Sequence, residues 1–435
     1  MSTAGEHTAA DGPMEGQRAI YSRGLAAKQP QVPTDYAALE ARAERCMSAQ
    51  AFAYIAGGAG REDTVARNRS AFGQWQIVPQ MLRDVGERDT SITLFGQRLP
   101  SPFLLSPVGV LEMAHPDADL AVARAAAAAR VPYIFSNQAS RPMETCAAAM
   151  GDAPRWFQLY WSKSDALVKS LVQRAEGSGC SAIVVTLDTT LLGWRSRDLD
   201  LGYLPFLRGR GIAQYTSDPV FLDSLDEPLP AGAQDVRPPV NLHTLRAVLQ
   251  AARAFPGGTL AGLRSGRALA AVRRFIATYS RPTLTWENLA FLREHTRLPV
   301  LLKGVLDPDD ARRALDHGVD GLIVSNHGGR QVDGAVSTIE QLPRIRDAVA
   351  GRLPLILDSG VRGGADAFKA LALGATAVGI GRPYCYGLAI AGEAGVGEVI
   401  ANLRADFELT MALAGCRSIS EVTPERLRAD AAVSA

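Results

Sequence analysis

The segment Ser325-Asn326-His327-Gly328-Gly329-Arg330 follows the apolar run Gly321–Val324 and places a proton-transfer group three residues before a permanent cation. Histidine titrates near neutrality and takes a proton at physiological pH, whereas arginine stays charged and offers a planar fork that matches a carboxylate. Together they suit an acid substrate that must lose a proton. Taken alone, a histidine in such a loop more often caps a strand, so the reading depends on what surrounds it.

Polar residues recur wherever an apolar run stops. Gln158 and Tyr160 end one run, Thr186 and Asp188 the next, and Lys303 a third. Further on come Asp358-Ser359-Gly360 with Arg362, and Gly379 and Gly381 with Arg382. If the runs are barrel strands, these ends converge on one cavity, and a Lys, Asp or Tyr that would be structural elsewhere becomes a site candidate. The last two ends combine glycines, which let backbone N–H groups approach a ligand, with two arginines. That combination reads as a phosphate cradle.

The elements that must position these groups are legible as eight short apolar runs: Phe103–Gly109, Tyr133–Gln138, Trp156–Trp161, Ala182–Asp188, Pro299–Val305, Gly321–Gly328, Leu353–Gly360 and Ala377–Pro383. Amphipathic helices alternate with them. Asp307 is an N-cap with Pro308 at the first helical position, and Leu167, Val168, Leu171, Val172 and Ala175 share one face before Gly177. Eight buried strands alternating with helices predict an α/β fold, a (β/α)8 TIM barrel. Residues 1–34 lack periodicity and are expected to be a flexible arm, with residues 35–435 forming the barrel domain. Within that domain a helical extension from Tyr36 to Phe72 carries Tyr54 just before the glycines of Ile55-Ala56-Gly57-Gly58.

The alternation is broken once, at about residues 191–285, where a long segment leaves the ends of the strands at which barrel active sites lie. Helices are expected there around Leu245–Phe255 and Leu269–Tyr279, with Arg246, Arg253, Arg273 and Arg274 solvated opposite apolar faces. A lid packed over the barrel is the expectation, in preference to a membrane-docking face.

Composition narrows the function classes. With 46 basic and 45 acidic residues there is no field to draw nucleic acid or an anionic membrane, and 47% hydrophobic residues support a large core. Five scattered cysteines and six dispersed histidines show no metal-ligand spacing, so no metal is expected and the thiols read as reduced. No stretch reads as an export signal, a membrane span or a peroxisomal tripeptide, which predicts a cytoplasmic protein.

In combination, SNHGGRQ (325–331), FQLY (157–160), LKGV (302–305), GIGRP (379–383) and FELTMALAGCRS (407–418) resemble the FMN-dependent L-2-hydroxy-acid oxidases and dehydrogenases. The resemblance spans Tyr36 to Leu427. YIAGGAG (54–60), TLDT (186–189), GWRSRDL (193–199), PFLRG (205–209) and DPVF (218–221) are most similar to lactate 2-monooxygenase. It implies that His327 is the active-site base, Asp188 its orienting carboxylate, and Arg330 with Tyr54 the substrate-carboxylate clamp. Tyr160 would meet the substrate hydroxyl, Arg195 would be the second active-site arginine, and Lys303 would face the flavin. Pro107, Val108, Gly109, Ser136, Gln158, Thr186 and Ser325 would contact the ring and ribityl chain. Asp358, Ser359, Gly360, Arg362, Gly381 and Arg382 would serve the ribityl and phosphate end.

The implied reaction is oxidation of an L-2-hydroxy acid with molecular oxygen as acceptor, in a homotetramer or octamer. If the lid retains the oxo acid while peroxide forms, decarboxylation follows. Gly109, where many relatives carry alanine, would leave room above the ring, and Gln138, where glycolate oxidases carry an aromatic residue nearby, leaves substrate size open. Three alternatives remain: a dehydrogenase serving a quinone or protein carrier, a Schiff-base aldolase or phosphosugar isomerase with Lys303 as nucleophile, and an FMN-binding sensor.

Overall fold

All eight runs are strands of one closed parallel barrel. The structure, a computed structural model, describes residues 15–230 and 239–430. The strands are Phe103–Leu105 (β1), Tyr133–Phe135 (β2), Arg155–Leu159 (β3), Ile183–Thr186 (β4), Val300–Val305 (β5), Gly321–Val324 (β6), Leu355–Leu357 (β7) and Ala377–Ile380 (β8). β8 closes on β1 through Gly379 opposite Leu104. The strands stop before the apolar runs do, so Gly109, Tyr160, Asp188, His327 and Gly360 stand on the loops that leave them.

Both faces of the sheet are covered, which is why the strands read as continuous apolar runs. Leu104, Ile134, Trp156, Val184, Leu301, Ile323 and Ile356 fill the interior, and the hairpin Ile92–Leu94/Gln97–Leu99 packs Ile92, Leu94 and Leu99 onto that cluster. Outward residues such as Phe103, Leu105, Val185 and Leu302 join the larger core beneath the helices. Local signals act as expected: the Asp307 side chain accepts from Asp309 N to start helix Pro308–Asp316, and Ser164 caps Asp165–Gly177.

Two helices are added to those expected, and one expectation is corrected. Within the segment expected to be an arm, Glu15–Leu25 is a helix, lying against Arg382–Leu413, which is two helices joined by a kink at Ala391 and Gly392; residues 1–14 lie outside the described residues. The insert contains helix Thr259–Ser265 between the two expected ones, Leu242–Ala254 and Arg267–Thr278. Arg274 is not solvated: it is buried and donates to Glu227 O, because the helix turns that face onto the insert's own polypeptide.

The insert is packed down. Phe206, Tyr215, Phe221 and Phe275 are buried, with ring centroids 4.8 Å apart for Tyr215–Phe275 and 5.2 Å for Phe206–Phe275. Arg174, on the barrel helix Asp165–Gly177, grips it by donating to Asp218 Oδ2 (3.0 Å), Gln214 O (2.7 Å) and Ser217 Oγ (2.7 Å). Among the described residues no helix is long and apolar enough to cross a membrane.

Candidate active site

His327 Nδ1 lies 2.8 Å from Asp188 Oδ1, joining residues 139 positions apart. With Nδ1–H donated to the carboxylate, Nε2 carries the lone pair, and Tyr160 Oη stands 3.5 Å from it. The Thr189 hydroxyl donates to the same Asp188 oxygen at 3.1 Å. β5 makes room for this carboxylate at Gly304, where φ is +105° and a Cβ would come within 2.9 Å of Asp188 Cβ. His327 itself has φ +58°, followed by Gly328 at +66° and Gly329 at +77°. Three successive left-handed residues turn the chain back at the mouth, and two of them are glycines for that reason.

Burial pushes the His327 imidazolium below its ordinary value, and attraction to Asp188 offsets only part of that. The ring is therefore unprotonated at neutral pH and ready to accept. Burial alone would raise the Asp188 carboxyl, but the charge and hydrogen bond of His327, helped by Lys303, hold it below its usual value.

Beside this chain lie two arginines, Arg195 buried and Arg330 partly buried. Arg330 donates to the backbone carbonyls of Tyr54 and Gly57 and stacks 5.1 Å from the Tyr54 ring centroid. Burial and the neighbouring Arg195 push its guanidinium down to about 9, so it stays charged at neutral pH. Arg195 donates to Gln331 Oε1 (3.2 Å), and Gln331 Nε2 donates to the backbone O of Asp188, so one side chain ties the second arginine to the loop that carries the carboxylate partner of His327. Burial raises the Tyr54 phenol, which stays protonated and able to donate.

Across the cavity Lys303 Nζ donates to Ser325 Oγ (2.8 Å) and sits 3.2 Å from Asp358 Oδ2, which also accepts from Ser106 Oγ at 3.2 Å. Ser136, Gln158, Thr186 and Ser325 are buried at the strand ends behind the wall. Gln158 Nε2 and Thr186 Oγ1 have no hydrogen-bond partner there. Buried polar atoms rarely go unpaired, so these call for a polar ligand. At the far end Arg382 donates to the carbonyls of Ile55, Gly328 and Gly57 and opens the helix that follows Gly381. Arg362 stacks 4.5 Å from the Tyr36 ring centroid, its Nε without a partner. Ser359 and Gly360 take φ of +70° and +114°.

Pro107, Val108, Gly109, Tyr54, Tyr160, Arg195, Lys303, His327, Arg330, Asp358 to Gly360, Arg362, Gly381 and Arg382 all line one cavity of about 980 Å³, its open mouth included. The orphan donors, the buried cation and the glycine–arginine end fit FMN. Gly109 has a local explanation: a Cβ there would lie 3.0 Å from both Cβ and O of Gln138, so close packing of the β1 and β2 loops already favours glycine. Sequence reasoning missed Thr189, Gln331, Ser106 and the insert residues Leu192, Phe206 and Tyr279 that line the mouth. Thr189, Gln331 and Phe206 lie inside recognised motifs, whereas Leu192 and Tyr279 have no local signal.

A barrel whose strand ends gather these groups is a flavin-dependent oxidoreductase scaffold. The family model described as FMN-dependent dehydrogenase matches residues 43–429. The chain is 41% identical to an L-lactate oxidase of Lysinibacillus sphaericus over 91% of this chain and 93% of that protein. It is 38% identical to a glycolate oxidase of Spinacia oleracea over 90% and 94%. Among solved structures, mandelate oxidase with benzoyl-formic acid superposes with a TM-score of 0.72 at 35% identity, covering 92% of this chain and 99% of that one. The chain belongs to the FMN-dependent dehydrogenase family and is an FMN-dependent oxidoreductase.

Proposed function

We propose that this FMN-dependent oxidoreductase of 2-hydroxy acids takes an L-2-hydroxy monocarboxylate, oxidises it to the 2-oxo acid and passes the electrons to molecular oxygen. The observation that carries the reading is the Asp188–His327–Tyr160 chain set against Arg195, which is buried, and Arg330, which is partly buried. Lys303, the loop Pro107-Val108-Gly109, Gln158, Thr186, Ser325 and the Asp358–Arg382 end would hold FMN, which when bound would supply the two-electron acceptor.

Arg330, Arg195 and the Tyr54 hydroxyl bind the carboxylate and fix the α-carbon against the base. Tyr160 Oη orients the substrate hydroxyl. Oxidation of the alcohol releases two protons, and His327 Nε2 receives the one abstracted in the transition state. Whether that proton comes from carbon or oxygen, it arrives at the same atom. Asp188 stabilises the imidazolium so formed, as its ion pair across 2.8 Å requires.

The relatives named lactate oxidase and glycolate oxidase support oxygen as the acceptor. The packed insert, with Phe206, Leu192 and Tyr279 at the mouth, supports retention of the product long enough for peroxide to attack it. In that version 2-oxo acid and hydrogen peroxide yield the shortened acid, carbon dioxide and water, as the likeness to lactate 2-monooxygenase suggests. Even charge and scattered free cysteines support a cytoplasmic enzyme that binds neither nucleic acid nor membrane, and the family likeness supports a tetramer or octamer.

Anaerobic reduction of the FMN-loaded enzyme by a panel of L- and D-2-hydroxy acids tests the substrate class; no bleaching by any of them rejects it. Aerobic turnover of L-lactate or a bulkier analogue then separates the outcomes. Decarboxylated acid without free peroxide is expected if the insert seals the site, and stoichiometric peroxide with intact oxo acid leaves a simple oxidase.

A further inference from the structure

Gln331 follows Arg330 directly, and the reaction described above gives its side chain no part. The amide directs both of its ends to one stretch of chain, the root of the insert. Nε2 donates to the backbone carbonyls of Asp188 (2.6 Å) and Leu191 (2.9 Å). Oε1 accepts from Gly193 N at 3.4 Å and from Arg195 Nη2 at 3.2 Å. The backbones meet as well: Arg195 Nε donates to Arg330 O at 3.4 Å, and a Cβ on Gly193 would collide with that same oxygen. The insert root is therefore seated on residues 330 and 331, and Arg195 enters the cavity from that seat. A long side chain loses rotamer freedom when it grips a ligand, and fixing it beforehand removes that cost from binding. An amide oxygen fixes a guanidinium without cancelling its charge, and leaves its remaining N–H groups for a carboxylate.

We propose that Gln331 is the positioning residue of Arg195, holding its guanidinium in the pose that meets the substrate carboxylate while leaving its charge free. The inference rests on the reading of Arg195 as part of the carboxylate clamp. Gln331 touches neither substrate nor reacting atoms; it acts through Arg195. A glutamine that only tied down the loop would matter equally whether or not that arginine were present, and this is the difference the test reads.

The test uses FMN-loaded wild type, Gln331→Met, Arg195→Met and the double variant, with acetate as the ligand and the change in flavin absorbance on binding as the readout. Gln331→Met keeps the length of the side chain and loses the amide, so the acetate dissociation constant should rise by about tenfold. Arg195→Met should raise it by at least as much, and adding Gln331→Met to that variant should change it by less than about twofold. Factors that multiply in the double variant overturn the proposal, because Gln331 would then act without Arg195. If Gln331→Met does not retain FMN, Gln331→Glu is compared in the two backgrounds. Its carboxylate keeps a contact with Arg195 but cancels the charge, so acetate binding should weaken by about tenfold or more with Arg195 present and by a much smaller factor with Arg195→Met. Equal losses in both backgrounds overturn the proposal. A wild type that does not bind acetate, or an Arg195→Met variant that binds it as tightly as wild type, overturns the clamp reading itself, an outcome distinct from factors that multiply.

Discussion

His327 holds a left-handed backbone that a non-glycine residue adopts at a cost of about 1–2 kcal/mol, and it does so where its ring must meet Asp188. That geometry is what separates a base from a strand cap. His327→Gln keeps a polar side chain of similar reach but cannot hold the proton, so flavin reduction by substrate should slow by about 10²- to 10⁴-fold while FMN stays bound. Stopped-flow reduction with the flavin spectrum as control checks this; a smaller loss would make His327 structural. The pH dependence follows from the sign of its shift. Because burial lowers the imidazolium below 6.5, the unprotonated base persists through neutrality, and the reduction rate should fall only as pH drops through that lowered value. Asp188 lifts His327 part of the way back, so Asp188→Asn should carry the fall to still lower pH and reduce the plateau as well. A fall displaced upward in that variant would contradict the pairing.

At the scale of elements, the insert behaves as part of the core. Phe275 is fully buried between Phe206, Tyr215 and Tyr279, with the last ring 5.1 Å away and nearly parallel. Phe275→Ala should cost about 3–5 kcal/mol of stability, read by denaturant unfolding, and should open the insert to proteolysis before the barrel unfolds. A loosely draped cover would lose less than about 1 kcal/mol. Because Phe206 and Tyr279 both pack on Phe275 and line the mouth, the same variant should also speed escape of the oxo acid, seen as free peroxide.

For the molecule as a whole, the cofactor cavity is a stability device as much as a catalytic one. Lys303 and Asp358 are buried as a pair, with Gln158 Nε2, Thr186 Oγ1 and Arg362 Nε lacking protein partners around the cavity. FMN that satisfies such groups binds the folded state alone, so excess cofactor at a hundred times its Kd should add about 2.7 kcal/mol. Removing FMN should lower Tm and adding it back should restore it, with the released flavin identified by chromatography. An apoprotein with the same Tm in excess FMN would reject this set as the cofactor site.

The barrel and its order of site residues were determined by sequence, for a physical reason. Strands covered on both faces must be apolar throughout, so polar groups survive only at their ends, and Gln158, Asp188, Lys303, His327 and Arg382 stood out against that background. Asp307 with Pro308 and the face led by Leu167 likewise carried local signals that packing did not override. What only the tertiary structure decided depends on long-range approach. Nothing next to Asp188 in the chain announces its 2.8 Å contact with His327, which only the resemblance implied, and nothing in the residue type tells that Arg274 turns inward with Ala271, Phe275 and Thr278 while Arg273 stays exposed. Gly109 lines the cavity, and only the fold shows that a Cβ there would also lie 3.0 Å from Gln138. Periodicity records which face an element buries, whereas the partner that meets it is chosen by chain closure over a hundred residues or more.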